Sequence, residues 1–301
     1  MRIFDCTTYF DEPIIMDVRF NILNEYVYKF IIVESIFSHN GRKKKINFNK
    51  NNYPKFKDKI EHIIIETEPK NLFPKDEKNR ENVERENSII RIEEQRNEAL
   101  KYCNEASDDD IILYSDNDEI PNLQDIDLKN TTAKILVFEQ KLFHYKFNLL
   151  NDRVSWYGTK GAKKKYIKSI SHLRNIKPKK YPFFRIDTLL SKNKFINLKI
   201  IKNGGWHFTQ LKKPEDLYKK FQNDENHIEF ENLNVNIQKI ENMVLNKVIE
   251  YDHLSDSKSE DDKHGHSFKL KSVDIKSNMP DYLLRNLDKY KDWFDFDFKN
   301  I

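Results

Sequence analysis

Cysteine, glycine and long apolar runs are all scarce in this chain. Only two cysteines occur in 301 residues, Cys6 and Cys103, far apart and without CxxC spacing. That spacing excludes a disulfide framework or a cysteine-built zinc site, and it points to a reducing compartment. No window approaches the roughly 20 apolar residues of a membrane helix. Met1-Arg2-Ile3-Phe4-Asp5 runs straight into a strand-like pattern, with no apolar leader before it. The expectation is a cytoplasmic chain without a transmembrane segment. A charge excess is missing too: 53 Lys+Arg against 49 Asp+Glu leave a formal +4. That balance permits attraction to a small anionic ligand and gives no case for a nucleic-acid partner.

What is present is enough to build a core: 38% hydrophobic and 13% aromatic residues. Ile3 to Phe10 reads as a strand and loop. Glu12-Pro13 opens a helix with Ile14, Ile15, Val18, Ile22 and Leu23 at near-helical spacing. Lys29–Glu34 and His62–Glu66 are short continuous apolar runs, typical of strands covered on both faces. Arg42 to Asn52, basic and Asn-rich, reads as the loop between them. A charged helical stretch over 76–106 precedes the run Asp110-Ile111-Ile112-Leu113-Tyr114-Ser115-Asp116. This order predicts an α/β, Rossmann-type domain with a mainly parallel central sheet. Beyond Pro121, 134–148 and 194–202 read as strands around an irregular basic stretch, 160–180. Helices are expected over 214–223, 235–250 and 280–294, and a polar loop over Ser255–Gly265. We place a core at 1–212 and a helical C-terminal extension at 213–301, packed on it as one structural unit.

In open α/β sheets ligands bind beyond the carboxyl ends of the strands. Asp116-Asn117-Asp118-Glu119 sits at such an end. Side chains two apart in an extended segment point the same way, so Asp116 and Asp118 can share one hard cation, Mg²⁺ or Mn²⁺. A polar turn is the plainer explanation for the same residues. Glu34 ends another strand on the same rim, and Arg96 lies on the helix leading into the acidic strand; a carboxylate and a guanidinium there suit a nucleotide. Gly204-Gly205 precedes Trp206-His207. Paired glycines suit a positive φ or a close backbone approach. Trp206 offers a face for stacking on a sugar or base, and His207 a third metal ligand or a phosphate contact. A tight turn with a buried Trp and a satisfied His is the plainer explanation for the four residues.

The segment Phe4 to Glu12 resembles the opening of glycosyltransferase family 17, which includes β-1,4-mannosyl-glycoprotein 4-β-N-acetylglucosaminyltransferases. The likeness continues at Lys29–Ser35, Gln95-Arg96-Asn97, Ser115-Asp116-Asn117-Asp118-Glu119-Ile120-Pro121, His144-Tyr145, Trp156 with Gly158, Gly205-Trp206-His207-Phe208 and Met279–Leu283. The resemblance implies a GT-A fold, a nucleotide-sugar donor such as UDP-GlcNAc, Mn²⁺ or Mg²⁺, and an inverting transfer to a glycan acceptor. Carried over, Asp116 and Asp118 hold metal and diphosphate, with Thr7, Glu34, Arg96 and Trp206 on the donor and His207 a candidate metal ligand. An inverting transfer needs a general base, and the sequence offers Glu119 or Glu229. Two other functions remain open on the residues alone: a metal-dependent nucleotidyltransferase, and a non-catalytic carbohydrate-binding protein on a transferase fold.

Overall fold

Ile3–Tyr9 forms β1, and all of it but Thr8 is buried, because helices cover both faces. The computed structural model describes residues 1–179, 181, 191, 193–195, 197–224, 227–232, 234–251 and 264–295. Pro13 opens α1 (Pro13–Leu23), where its missing N–H is harmless. Then come β2 (Lys29–Ser35), β3 (Ile60–Ile65), α2 (Arg80–Lys101), β4 (Ile111–Ser115), β5 (Glu119–Pro121), β6 (Ile135–His144), β7 (Leu149–Lys163), α3 (Ile170–Arg174) and β8 (Leu198–Ile201). The strands lie in the order β3-β2-β1-β4-β7-β6. The first four are parallel, β7 runs antiparallel to β4, and β8 joins β6 in parallel. This is the expected α/β class with a mostly parallel sheet.

The chain divides into two compact units: Met1–Gln140 with Tyr157–Gly205, and Lys141–Trp156 with Trp206–Ile301. In the first unit, α2 buries Ser88, Ile92, Gln95 and Ala99, one stripe at helical spacing. The stripe packs on a cluster that includes Cys6, Val33, Ile112 and Tyr114. Side chains alternate along β1, so Cys6 faces α2 while Asp5 turns to α1. Two results follow. The Cys6 and Cys103 thiols, 97 residues apart, lie 3.7 Å from each other as free, buried cysteines, a juxtaposition that sequence separation concealed. On the other face, Arg19 of α1 forks onto Asp5 at 2.5 and 2.7 Å, both side chains fully buried, and also donates to the carbonyl of Glu119.

In the second unit, residues 141–144 of β6 pair with β9 (Gly205–Thr209). It also holds α4 (Pro214–Phe221), α5 (His227–Asn232), α6 (Ile237–Asn246), the antiparallel pair β10 (Val248–Tyr251) and β11 (His264–Lys269), and β12 (Lys271–Ser272) beside β7. Short α7 (Ile275–Asn278), α8 (Asp281–Arg285) and α9 (Leu287–Tyr290) follow. Its core gathers Tyr145, Leu149, Leu217, Phe221, Ile240, Ile249 and Leu270. Residues 213–301 fall wholly within this unit.

Several element limits differ from the sequence expectation. Residues 160–163, expected to begin the irregular basic stretch, instead end β7, where Lys160 is buried and hydrogen-bonded. The helix expected over 235–250 stops at Asn246, where Lys247 takes a left-handed φ of 55° and caps it, and a strand follows. The helix expected over 280–294 breaks at Asn286. Of the expected loop Ser255–Gly265, residues 255–263 lie outside the described residues, and 264–265 belong to β11.

A buried carboxylate stripped of its counter-charge is costly. Arg19→Leu is therefore expected to lower unfolding free energy by about 3–5 kcal/mol in urea titration. The double variant Asp5→Leu/Arg19→Leu should lose less than the single; an equal or larger loss would contradict this role for the pair.

Candidate active site

The end of β4 turns sharply through a reciprocal bond pair. The Glu119 N–H donates to the Asp116 carbonyl at 3.1 Å, and the Asp116 N–H donates to Glu119 Oε2 at 3.1 Å. Three donors converge on the Asp116 carboxylate. Oδ1 accepts from the Tyr114 hydroxyl at 2.9 Å and Arg96 Nη2 at 3.1 Å; Oδ2 accepts from Arg174 Nη2 at 2.6 Å. The same Arg174 nitrogen donates to Glu119 Oε1 at 2.8 Å, while its other arm donates to the Gly158 carbonyl. Glu119 is fully buried, whereas Asp116 keeps 26% of its side chain exposed. Asp116 is thus the most exposed member of the cluster, ahead of the partly exposed Arg96 and Arg174.

Each member is delivered by a local structural reason. Arg96 lies one residue beyond the buried Gln95 of α2, and the next residue, Asn97, accepts from the Ser171 N–H at 2.9 Å. Ser171 in turn donates to the Glu93 carbonyl, so α3 is pinned to α2. Ser169 caps α3 by accepting from the His172 N–H, and Arg174 ends it. Beneath, Lys160 of β7 donates to the carbonyls of Arg174 and Ile176, fixing the backbone from which Arg174 reaches out. Gly158 has to lack a side chain: a Cβ would lie 2.5 Å from Glu119 Cδ and would overlap Gln140 Oε1. Ser115 and Thr159 hydroxyls, 2.7 Å apart, with Gln140 donating to Thr159, complete a buried polar floor.

The charges follow from this packing. Burial alone would raise the Asp116 pKa, but Arg174 and Arg96 pull it far below the carboxylate range. The Tyr114 hydroxyl is pushed up by burial and by Asp116. Lys160 is pulled down to about 7, by burial first and by the charge of Arg174 second.

The structure brings Arg96, Asp116 and Glu119 into direct contact, with Asp118, buried, in the same loop. Thr7 lies one strand over, paired with Ser115 and fully buried, its hydroxyl on the Thr8 carbonyl. Glu34, two strands over, accepts from the Asn47 and Phe48 N–H groups and from Lys44. Burial would raise its pKa, and the hydrogen bonds from His62, Lys44 and Asn47 more than offset this and lower it. Its carboxylate therefore braces residues 44–48. Trp206 and His207 belong to the second unit, where the Trp206 indole donates to the Asn278 carbonyl at 2.7 Å and His207 lies against Trp156, ring centres 4.6 Å apart. Glu229 falls in α5, and its side chain lies outside the described residues. The paired glycines do make a close approach: Gly205, at φ 129°, packs against the backbone of β5, with Asn122 N 2.7 Å from where a Cβ would stand.

Arg174, Tyr114 and Lys160 were not singled out from sequence. Arg174 lay within a basic stretch and pairs with Asp116 across 58 residues, a separation no local pattern encodes. Asp116 and Asp118 put two hard carboxylates, the donor type that Mg²⁺ and Mn²⁺ take, in one loop, and both Asp116 oxygens already accept from guanidiniums. Among the described residues no group of three or more His, Cys, Asp or Glu forms a ready-made metal nest.

Residues 1–177 match the sequence profile of Glycosyltransferase family 17. No curated protein matches the chain significantly. Among solved structures, HddC from Yersinia pseudotuberculosis is similar at 12% identity and a TM-score of 0.33, over 68% of this chain and 92% of that one. The same protein complexed with GMP-PN gives 13% and 0.33, over 73% and 97%. Francisella tularensis 2-C-methyl-D-erythritol 4-phosphate cytidylyltransferase (IspD) gives 12% and 0.29, over 74% and 100%.

Lys160 makes a signed pH prediction. Its folded pKa is depressed, so between about 7 and 10.5 the unfolded chain holds a proton that the folded one has released. Stability relative to Lys160→Met should therefore climb through that window, by up to about 5 kcal/mol at 1.36 kcal/mol per pKa unit. Denaturation of both proteins across the window checks this; parallel curves would contradict it. Separately, Gly158→Ala should displace Glu119 and abolish turnover while circular dichroism keeps the α/β signature.

Proposed function

The chain belongs to glycosyltransferase family 17, and we propose that its Asp116–Glu119 loop, with Arg96 and Arg174, grips the diphosphate of a nucleotide-sugar donor. Membership makes the chain a glycosyltransferase, an enzyme with a sugar donor and an acceptor. The observation that carries the finer reading is the convergence of two guanidiniums on the one partly exposed carboxylate at the end of β4. Guanidiniums match phosphate oxygens as well as they match carboxylates. An arriving diphosphate can thus take over donors that Asp116 now occupies, and its added negative charge, together with that of the released Asp116, calls for a divalent cation.

In this reading the domain is of the GT-A kind, and the donor is UDP-GlcNAc. Asp116 and Asp118 are the residues that would hold Mn²⁺ or Mg²⁺, which supplies neutralisation of the charge growing on the leaving diphosphate. The chain's own residues do the rest. Arg96 and Arg174 orient the phosphates from two helices. Tyr114 and Glu119 keep those guanidiniums aimed when Asp116 lets go, Glu119 by its bond to Arg174. The buried, ion-paired position of Glu119 suits a brace better than a general base for the acceptor hydroxyl.

Two variants test the reading by titration calorimetry with UDP, with and without Mn²⁺. Asp118→Ala should lose the metal-dependent part of the affinity. Arg174→Gln should weaken UDP binding about 10²-fold, roughly 2–3 kcal/mol, the worth of a charge-assisted hydrogen bond in a buried site. Both should release UDP from UDP-GlcNAc more slowly than the wild type. Wild-type affinity in both variants, or pyrophosphate as the released product, would overturn it.

A further inference from the structure

We propose that the outer face of the β2–β3 crossover is a docking surface for an anionic lipid bilayer. Residues 38–59 contain seven lysines and one arginine against a single acid, Asp58. That segment carries +7, so with +4 for the whole chain everything else together is −3. The basic character of this protein is therefore local. Six of the cations are exposed: Arg42, Lys43, Lys45, Lys50, Lys55 and Lys57. The other two are engaged, Lys44 with Glu34 and Lys59 with the carbonyls of Asn24 and Val27. Among the described residues none of the six pairs with a carboxylate; Lys55 lies over the Phe56 ring.

The crossover is built to turn these charges outward. Phe48, Tyr53 and Phe56 are buried and pack on Phe20 of α1 at ring-centre distances of 6.4, 4.9 and 5.7 Å. The Asn47 and Phe48 N–H groups are tied to Glu34, and the Tyr53 hydroxyl donates to the Pro13 carbonyl. With its aromatic residues buried and its backbone anchored, the segment leaves these six cations exposed on a held stretch of chain. Such a cluster repels itself until a counter-surface covers it.

The composition selects the partner. Lysine is a hydrated point charge, suited to diffuse attraction, whereas bidentate recognition of individual phosphates favours arginine. No aromatic residue of the segment is exposed, so it lacks the stacking platform on which single-stranded nucleic acids or sugars are held. It likewise offers no large apolar side chain to insert among acyl chains, which points to adsorption on headgroups rather than to insertion. None of the six cations takes part in the contacts of the acidic loop, and the proposal stands whether or not that loop binds a nucleotide sugar.

The experiment is co-sedimentation of the full chain with phosphatidylcholine vesicles, with and without phosphatidylserine, across a salt series. The wild type should partition at least tenfold better onto the phosphatidylserine vesicles, and the advantage should vanish as salt rises. The variant Lys43→Gln/Lys45→Gln/Lys55→Gln/Lys57→Gln should lose on the order of 10²-fold or more, at roughly fivefold per cation. Its circular dichroism and UDP affinity should match the wild type. Equal partition onto both vesicle types, or undiminished binding by the variant, would overturn the proposal. So would full displacement from vesicles by an equal charge of duplex DNA or sulfated polysaccharide, which would assign the surface to a soluble polyanion.

Discussion

The Asp116 carboxylate is held by Tyr114, Arg96 and Arg174 at once, and much of the first unit is arranged to make that possible. Strand β4 supplies the carboxylate, α2 and α3 supply the guanidiniums, and β7 supplies both the glycine that makes room and the lysine that anchors α3. Helix α1 contributes from the opposite face: Arg19, paired to Asp5, reaches the Glu119 carbonyl and so ties the far end of the loop to β1. Burying two arginines and two carboxylates is tolerable only because each is bonded to another. The loop cannot shift by much without stranding one of these charges.

That constraint bears directly on chemistry. A site whose positive groups already face a carboxylate is organised before any ligand arrives, so little reorganisation is needed when an anion replaces it. Family membership supplies the reaction class; the charge cluster is the place we propose for it. Glu34, by contrast, marks the same rim without facing outward, because its carboxylate is consumed in holding the chain that leaves β2.

The parallel half of the fold was legible in the sequence because its strands are continuous apolar runs and its helices begin at prolines or carry one buried stripe. The β7 strand was not, since the polar residues within it satisfy one another inside the sheet: Thr159 with Ser115, Lys160 with the end of α3. The acidic loop was legible from its place after Tyr114-Ser115, and Arg96 from its helix. Arg174 was hidden, as were the paired thiols of Cys6 and Cys103, because each meets its partner only through the stacking of elements distant in sequence. Gly158 shows the same limit. Its need for a bare backbone is set by Glu119, a residue 39 positions away, and spacing alone carries no trace of that.

The central claim is that the Asp116 cluster trades its carboxylate partner for a diphosphate. A crystal structure of the chain grown with UDP and Mn²⁺ tests it most directly. The account predicts diphosphate oxygens within hydrogen-bond distance of Arg96 and Arg174, with the ion on the Asp116–Asp118 loop. Nucleotide bound elsewhere, with both guanidiniums still closed on Asp116, would contradict it.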